Sequence, residues 1–241
     1  MPFTLIEFFT SVAVVFLGSV LQAATGLGAG IIIVPLLALI NIELIPGPTL
    51  CASLTLSFTM AWRGMADIKY DGLLLLMIAL VIGMGLGAYT LAWLPVKQLG
   101  IVFGSLILLA VGISFVGKGL KQTNGYRMGA GFISGYMGAT VSIGAPVLAL
   151  LYQHEKGPSL RATLGFLYFV STLVMLLFLH LAGYFNTVHM KMGLWLIPGF
   201  VLGYFIAGRF ATWFDQERSR MAVLIISTIS ALILIAKSFN T

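Results

Sequence analysis

An all-α polytopic membrane fold is what the sequence predicts, arranged as an inverted repeat whose halves each hold one broken, re-entrant helical hairpin and three transmembrane helices. Three observations carry that expectation. The 241 residues are 60% hydrophobic and only 8% charged, with a mean hydropathy of +1.07, whereas soluble domains carry about 25% charged residues. Apolar runs approaching bilayer length recur along the whole chain. Two related glycine-containing interruptions, QAATGLGAG at 22–30 and TVSIGAP at 140–146, fall inside such runs.

In chain order, the first half (1–120) opens with a hairpin over 8–40. Its limbs, 8–24 and 27–40, join at the first interruption, and the return limb of 14 residues is shorter than the roughly 20 a crossing needs. Helices follow over 47–62, with Pro48 in the first turn, then 72–93 and 98–117. The second half (121–241) repeats the plan with a hairpin over 127–152, whose return limb 145–152 has only eight residues, and helices over 160–182, 192–209 and 220–237. The first apolar run is preceded by Glu7 and by no Lys or Arg, so it lacks the positive region of a cleaved signal and is expected to be retained.

Basic residues decide between single crossings and hairpins. If 8–40 and 127–152 each cross once, Lys and Arg divide 7 to 6 between the two faces. If each is a hairpin, loops 63–71, 118–127, 152–161 and 209–220 share a face holding ten of them, against three on the other: Lys97, Lys191 and Lys237. Cytoplasmic loops are the basic ones. The hairpin reading therefore follows, with both termini outside the cytoplasm, and three crossings per half make the second half enter inverted. Such repeats with discontinuous helices build secondary transporters, with the site where the breaks meet.

GLGAGIII (26–33) aligns without a gap over SIGAPVLA (142–149). Spaced glycines alone, as at Gly83–Gly87, Gly100–Gly104, Gly131–Gly135 and Gly199–Gly203, signal close helix packing. Duplication beside short limbs asks for more. A break at membrane depth must be shielded by protein or line a wet cavity. The return helix starting there aims its free N–H groups and positive dipole end inward, which suits an anion. Gln22, Thr25, Gly26, Gly28, Gly30, Thr140, Ser142, Gly144 and Pro146 are accordingly the expected substrate-binding residues.

Secondary candidates line or gate the cavity. Ser53 and Ser57 share one helix face, among the alternating hydroxyls of Ser53, Thr55, Ser57 and Thr59, and Ser171 and Thr172 occupy the corresponding helix of the second half. Arg161 could draw anions toward the inner mouth, its plainer role being a cytoplasmic anchor. His180, near an outer helix end, could pass a proton, its plainer role being an interfacial cap. No Asp or Glu lies well inside a segment, which argues against a carboxylate proton relay and leaves coupling to the anion's own charge or proton.

At the two breaks the chain resembles the sulfite exporter TauE/SafE family of membrane permeases. TGLGAGIIIVPLL (25–37) is similar to the family's first glycine block, with Ala29 where glycine is usual. GFISGYMGATVSIGAPVLALL (131–151) resembles the second, departing at Ser142 and Ala145, and RAT (161–163) is also similar. The resemblance spans essentially the whole chain. It implies secondary export or uptake of small anions, often sulfur oxyanions such as sulfite, sulfonates or sulfoacetate, across a cell membrane, the inner one in a bacterium.

Other classes fit less well. The net charge of +6, from 13 Lys+Arg against 7 Asp+Glu, comes from basic residues placed singly in loops, so nucleic acid is not an expected partner. Cys51, the one cysteine, excludes an intramolecular disulfide and a cysteine metal cluster. Neither GxSxG, HExxH nor GxxxxGK[ST] occurs, so no enzyme, cofactor or metal is expected. The expected partners are a small anion, the bilayer and, through a spare small-residue face, a second copy. An anion channel of similar build, or a carrier of small carboxylates, remains the alternative.

Overall fold

Each interrupted run resolves into two helices, and those of the second run meet at a turn over 142–144. The structure, a computed structural model, describes residues 4–25, 30–116, 120–155, 157–210 and 216–239. Among these it has ten α-helices and no strand. The first pair is α1 (Leu5–Thr25) with α2 (Gly30–Ile40), and the second is α6 (Asn124–Val141) with α7 (Ala145–Tyr152). The other helices are α3 (Gly47–Arg63), α4 (Leu73–Trp93), α5 (Val96–Val116), α8 (Gly157–Leu181), α9 (Thr187–Phe210) and α10 (Gln216–Phe239). Five of them, α1, α4, α5, α8 and α9, contain stretches long and apolar enough to cross a membrane.

Where boundaries differ from expectation, capping explains it. α6 begins at Asn124 rather than 127 because the Thr123 hydroxyl oxygen accepts the Tyr126 N–H. α9 begins at Thr187 rather than 192 because Asn186 Oδ1 accepts the N–H groups of Val188 and His189. Such caps satisfy amides that the first turn leaves free.

Pro35, inside α2, removes the N–H that the Ile31 carbonyl would otherwise receive. The fully buried Ser227 of α10 compensates. Its hydroxyl lies 2.6 Å from that carbonyl and 2.7 Å from the Val223 carbonyl, so one hydrogen serves both. Ser227→Ala is expected to destabilise the protein by about 1–2 kcal/mol, because the Ile31 carbonyl is then buried unpaired; a lowered melting temperature in detergent checks this.

Helix pairing has a regular pattern. α4 and α6 run parallel, with Gly83 on the Phe132 carbonyl and Gly135 on the Leu80 carbonyl. α1 and α9 also run parallel: Phe8 meets Trp195 edge-on with ring centroids 5.6 Å apart, and Gly203 lies against Phe16 and Ser19. By contrast α3 runs antiparallel to α8, with Gly64 on Ala162 and the Phe58 and Phe169 rings 5.4 Å apart. α5 and α10 are antiparallel as well, Gly100 meeting Ser238 and Gly104 meeting Ala231. All four glycine pairs are thus used within the chain and are not spare faces for a second copy.

The same contacts fix where the hairpins open. The Leu120 N–H donates to the Leu150 carbonyl at 3.0 Å, so α7 returns to the end from which α6 started. Arg63, at the end of α3, stacks over the Tyr204 and Phe205 rings near the end of α9, at 5.5 and 5.9 Å. α1, parallel to α9, therefore starts at the far end, where α3 also starts and α2 finishes.

Loops gather on the Arg63 face. Lys69 pairs with Glu155, Arg127 pairs with Asp71, and Gln122 Nε2 donates to Glu155 at 3.1 Å. The Ser159 hydroxyl donates to the Asp67 carbonyl. Hydrogen bonding from Lys69 holds the Glu155 carboxyl below the usual carboxylate range. A depressed folded pKa gives stability that is present above the unfolded carboxylate's pKa and lost as pH falls through the folded one. Acidification is therefore expected to loosen this latch, by less than about 1 kcal/mol because Lys69 is solvent-exposed. Melting temperature should fall less on acidification in Glu155→Gln than in the native protein.

Candidate functional site

The start of α2 meets the second break. Gly30, the first residue of α2, lies so close to the second break that a Cβ there would stand 2.7 Å from the Ser142 carbonyl oxygen and 3.6 Å from Ile143 Cα. Around this junction is a cavity of about 70 Å³, enough for a few waters or one small oxyanion. It is bounded by the central turns of α8 and α9 and by the first half of α3, deep within the helical body.

Local chemistry builds the second break. Ser142 caps α6 in the left-handed conformation, at φ 58°, with its N–H bonded to the Gly138 carbonyl. This is the position a glycine takes most cheaply. Serine is held there by its hydroxyl, which donates to the Pro46 carbonyl at 3.1 Å and so ties the break to the start of α3. The Ser134 hydroxyl, 2.8 Å from the Gly144 carbonyl, pins the returning strand of the turn to α6. Gly144 itself leaves no room for a side chain, since a Cβ would meet Ser134 within 2.7 Å. α7 then begins with Pro146 in its first turn and no side chain capping its amides. The N–H of Ala145, which lines the cavity, is left for whatever occupies it.

Of the expected residues, Gln22, Gly30, Ser142 and Gly144 line the cavity, as do Ser53, Ser57, Ser171 and Thr172. Thr25 closes α1, while Gly26 and Gly28 lie outside the described residues. Four others stand away from the cavity. Thr140 is fully buried, with its hydroxyl donated to the Tyr136 carbonyl at 2.8 Å. Pro146 packs in the core of α7. Arg161 is in the first turns of α8, on the loop face. His180 is exposed, its Nδ1 lying 2.9 Å from the Phe185 carbonyl, the geometry of an interfacial cap.

Sequence reading missed Thr49, Ser134, Tyr168, Met175 and Phe200, all of which reach the cavity. Tyr168 is half-buried, its hydroxyl 3.5 Å from the Ala145 carbonyl. Among the described lining residues there is no Lys, Arg, His, Asp or Glu. Nor do three His, Cys, Asp or Glu side chains come together anywhere among the described residues.

A multi-pass helical membrane protein follows from these features, with an uncharged, hydroxyl-rich cavity between two broken hairpins. The sulfite exporter TauE/SafE family model matches residues 11–234, and the chain belongs to that family. Its members are membrane transporters of sulfur-containing anions rather than enzymes. No curated protein and no solved structure matches the chain.

Proposed function

We propose that the chain is a secondary transporter of small sulfur oxyanions, such as sulfite or organosulfonates, which rest where the two breaks meet. The contact of Gly30 with the backbone of the second break carries this reading. It brings the first turn of α2 and the uncapped first turn of α7 to one cavity. An anion there would take backbone N–H groups and helix dipoles in place of its hydration shell. With no cation among the described lining residues, no strong ion pair from them holds it, and release on the other side stays easy.

The halves 1–120 and 121–241 are read as an inverted repeat. Exchanging α1 with α6, α2 with α7, α3 with α8, α4 with α9 and α5 with α10 turns the parallel pair α1–α9 into α6–α4, also parallel. It turns the antiparallel pairs α3–α8 and α5–α10 into themselves, as a two-fold axis in the membrane plane requires. Glycines support the same register: 26 to 142, 83 to 199 and 87 to 203 are each separated by 116 positions, the middle and last pairs being glycine on both sides. Repeats of this kind favour alternating access over a fixed pore.

With the basic loop face in the cytoplasm, both termini lie outside. Tags at each end, probed in sealed cells, test that: a protected terminus contradicts it. The function itself is tested in proteoliposomes loaded with labelled sulfite, sulfoacetate or sulfate. A carrier gives saturable flux accelerated by substrate on the opposite side, and a channel gives none of that acceleration.

A further inference from the structure

Resting on the reading above, we infer that Ser134 is a positioning residue for the anion: its hydroxyl holds the Gly144–Ala145 peptide plane so that the Ala145 N–H faces the cavity. Ser134 is 1% exposed, and its Oγ lies 2.8 Å from the Gly144 carbonyl oxygen. A carbonyl only accepts, so the serine hydrogen lies between the two oxygens. Turned elsewhere, it would leave them this close with no hydrogen between them.

The direction follows from the geometry of one peptide. The Gly144 oxygen and the Ala145 N–H belong to the same rigid trans unit and point opposite ways. A hydroxyl from α6 on the oxygen therefore sends the N–H away from α6. Ser134 shares a face of α6 with Gly138, four residues on, and a Cβ on Gly138 would meet Met175 of α8. That face looks onto the cavity, since Ser134, Gly138, Ala145 and Met175 all line it. Among the described residues nothing accepts the Ala145 N–H. Pro146, next in the chain, has no N–H to take its place.

The plane needs a tether. A Cβ at Gly144 would meet Ser134 within 2.7 Å, so the position requires glycine, which restrains its own backbone least. α7 has eight residues and no side-chain cap, and its first intrahelical bond is the other restraint on the Gly144 carbonyl. Ser134 adds to it from a separate helix. Its bond also polarises the peptide and makes the Ala145 N–H a stronger donor. Were Ser134 only to satisfy a buried carbonyl, its loss would lower stability and leave anion affinity unchanged.

The experiment titrates sulfite into the full chain, isotope-labelled at alanine, and follows the Ala145 amide proton by magnetic resonance beside saturable sulfite uptake in proteoliposomes. In the native protein that proton is expected to move downfield on saturation. In Ser134→Ala the movement is expected to be smaller even at saturation, and half-saturation to rise about tenfold, the value of one hydrogen bond to a charged group, with cooperative melting kept. Ser134→Cys, close in size but with a weaker S–H donor, is expected between the two, so a folding failure of the alanine variant leaves the test in place. Native movement and native half-saturation in a folded variant overturn the positioning role and leave the site standing. Raised half-saturation with native movement of the Ala145 proton makes Ser134 a direct ligand, which overturns the role as well. An Ala145 proton that stays put in a native protein carrying sulfite overturns the site itself, and this role with it.

Discussion

Gly30→Val is expected to lower anion flux about a hundredfold in a protein that still inserts and melts cooperatively, the loss a misplacement of order 1 Å can cause. The glycine is where α2 touches the second break, and the atom a Cβ would strike, at 2.7 Å, is a backbone carbonyl, which cannot swing aside. Ser142, which owns that carbonyl, is in turn tethered to Pro46 through its hydroxyl. Relief must come from separating the two breaks, which moves the first turns of α2 and α7 away from a shared anion. Substrate flux in proteoliposomes, set beside the melting temperature, distinguishes this from general unfolding. Native flux from Gly30→Val would mean that the junction is not where the anion rests.

Gly135→Ala is expected to give the largest loss of stability from a single methyl, about 3 kcal/mol, at the upper end of overpacking effects. A Cβ at that position would meet the Leu80 carbonyl oxygen at 2.1 Å and the Met84 nitrogen at 3.0 Å, both backbone atoms of the parallel helix α4. Gly83 makes the reciprocal contact with the Phe132 carbonyl, so the two helices have no slack between them. Gly129→Ala, on the same helix α6, is the internal control. Nothing lies within 4 Å of its added methyl, so only the helix preference for alanine acts, and stability should hold or rise by about 0.5–1 kcal/mol. Thermal melting of the two variants in the same detergent checks both. Equal behaviour would contradict the close α4–α6 approach.

Much of the architecture was legible in the chain, because periodic and local signals carry it. Short return limbs beside GLGAGIII and SIGAPVLA announced the broken helices, and α3 to α5 and α8 to α10 follow apolar runs that turn polar at their ends. Family membership was legible in the same two blocks. That Gly30, Ser142 and Gly144, adjoining a break, would line the cavity was legible for the same reason.

What the sequence hid depends on distant contacts or on side-chain direction. Ser134, Tyr168 and Phe200 reach the cavity only because α6, α8 and α9 converge there. Nothing local to Phe200 distinguishes it from the other aromatic residues of α9. Thr140 was misleading in the opposite sense. Two residues before the break, it looks well placed, but helical rotation turns it into the core, where its hydroxyl closes on Tyr136. The chemistry of the hydroxyls was also hidden. A serine reads as a donor until the carbonyl that takes its hydrogen is known, and for Ser142 that carbonyl is 96 residues away in sequence.

The most direct measurement is a structure of the protein soaked with selenite, sulfite's heavier analogue, with selenium located by its anomalous scattering. A peak at the junction of Gly30, Ala145 and Thr172 is the predicted result. A protein whose sulfite flux is inhibited by selenite, but whose selenium peak lies elsewhere or whose two breaks stand apart, would contradict the shared anion site.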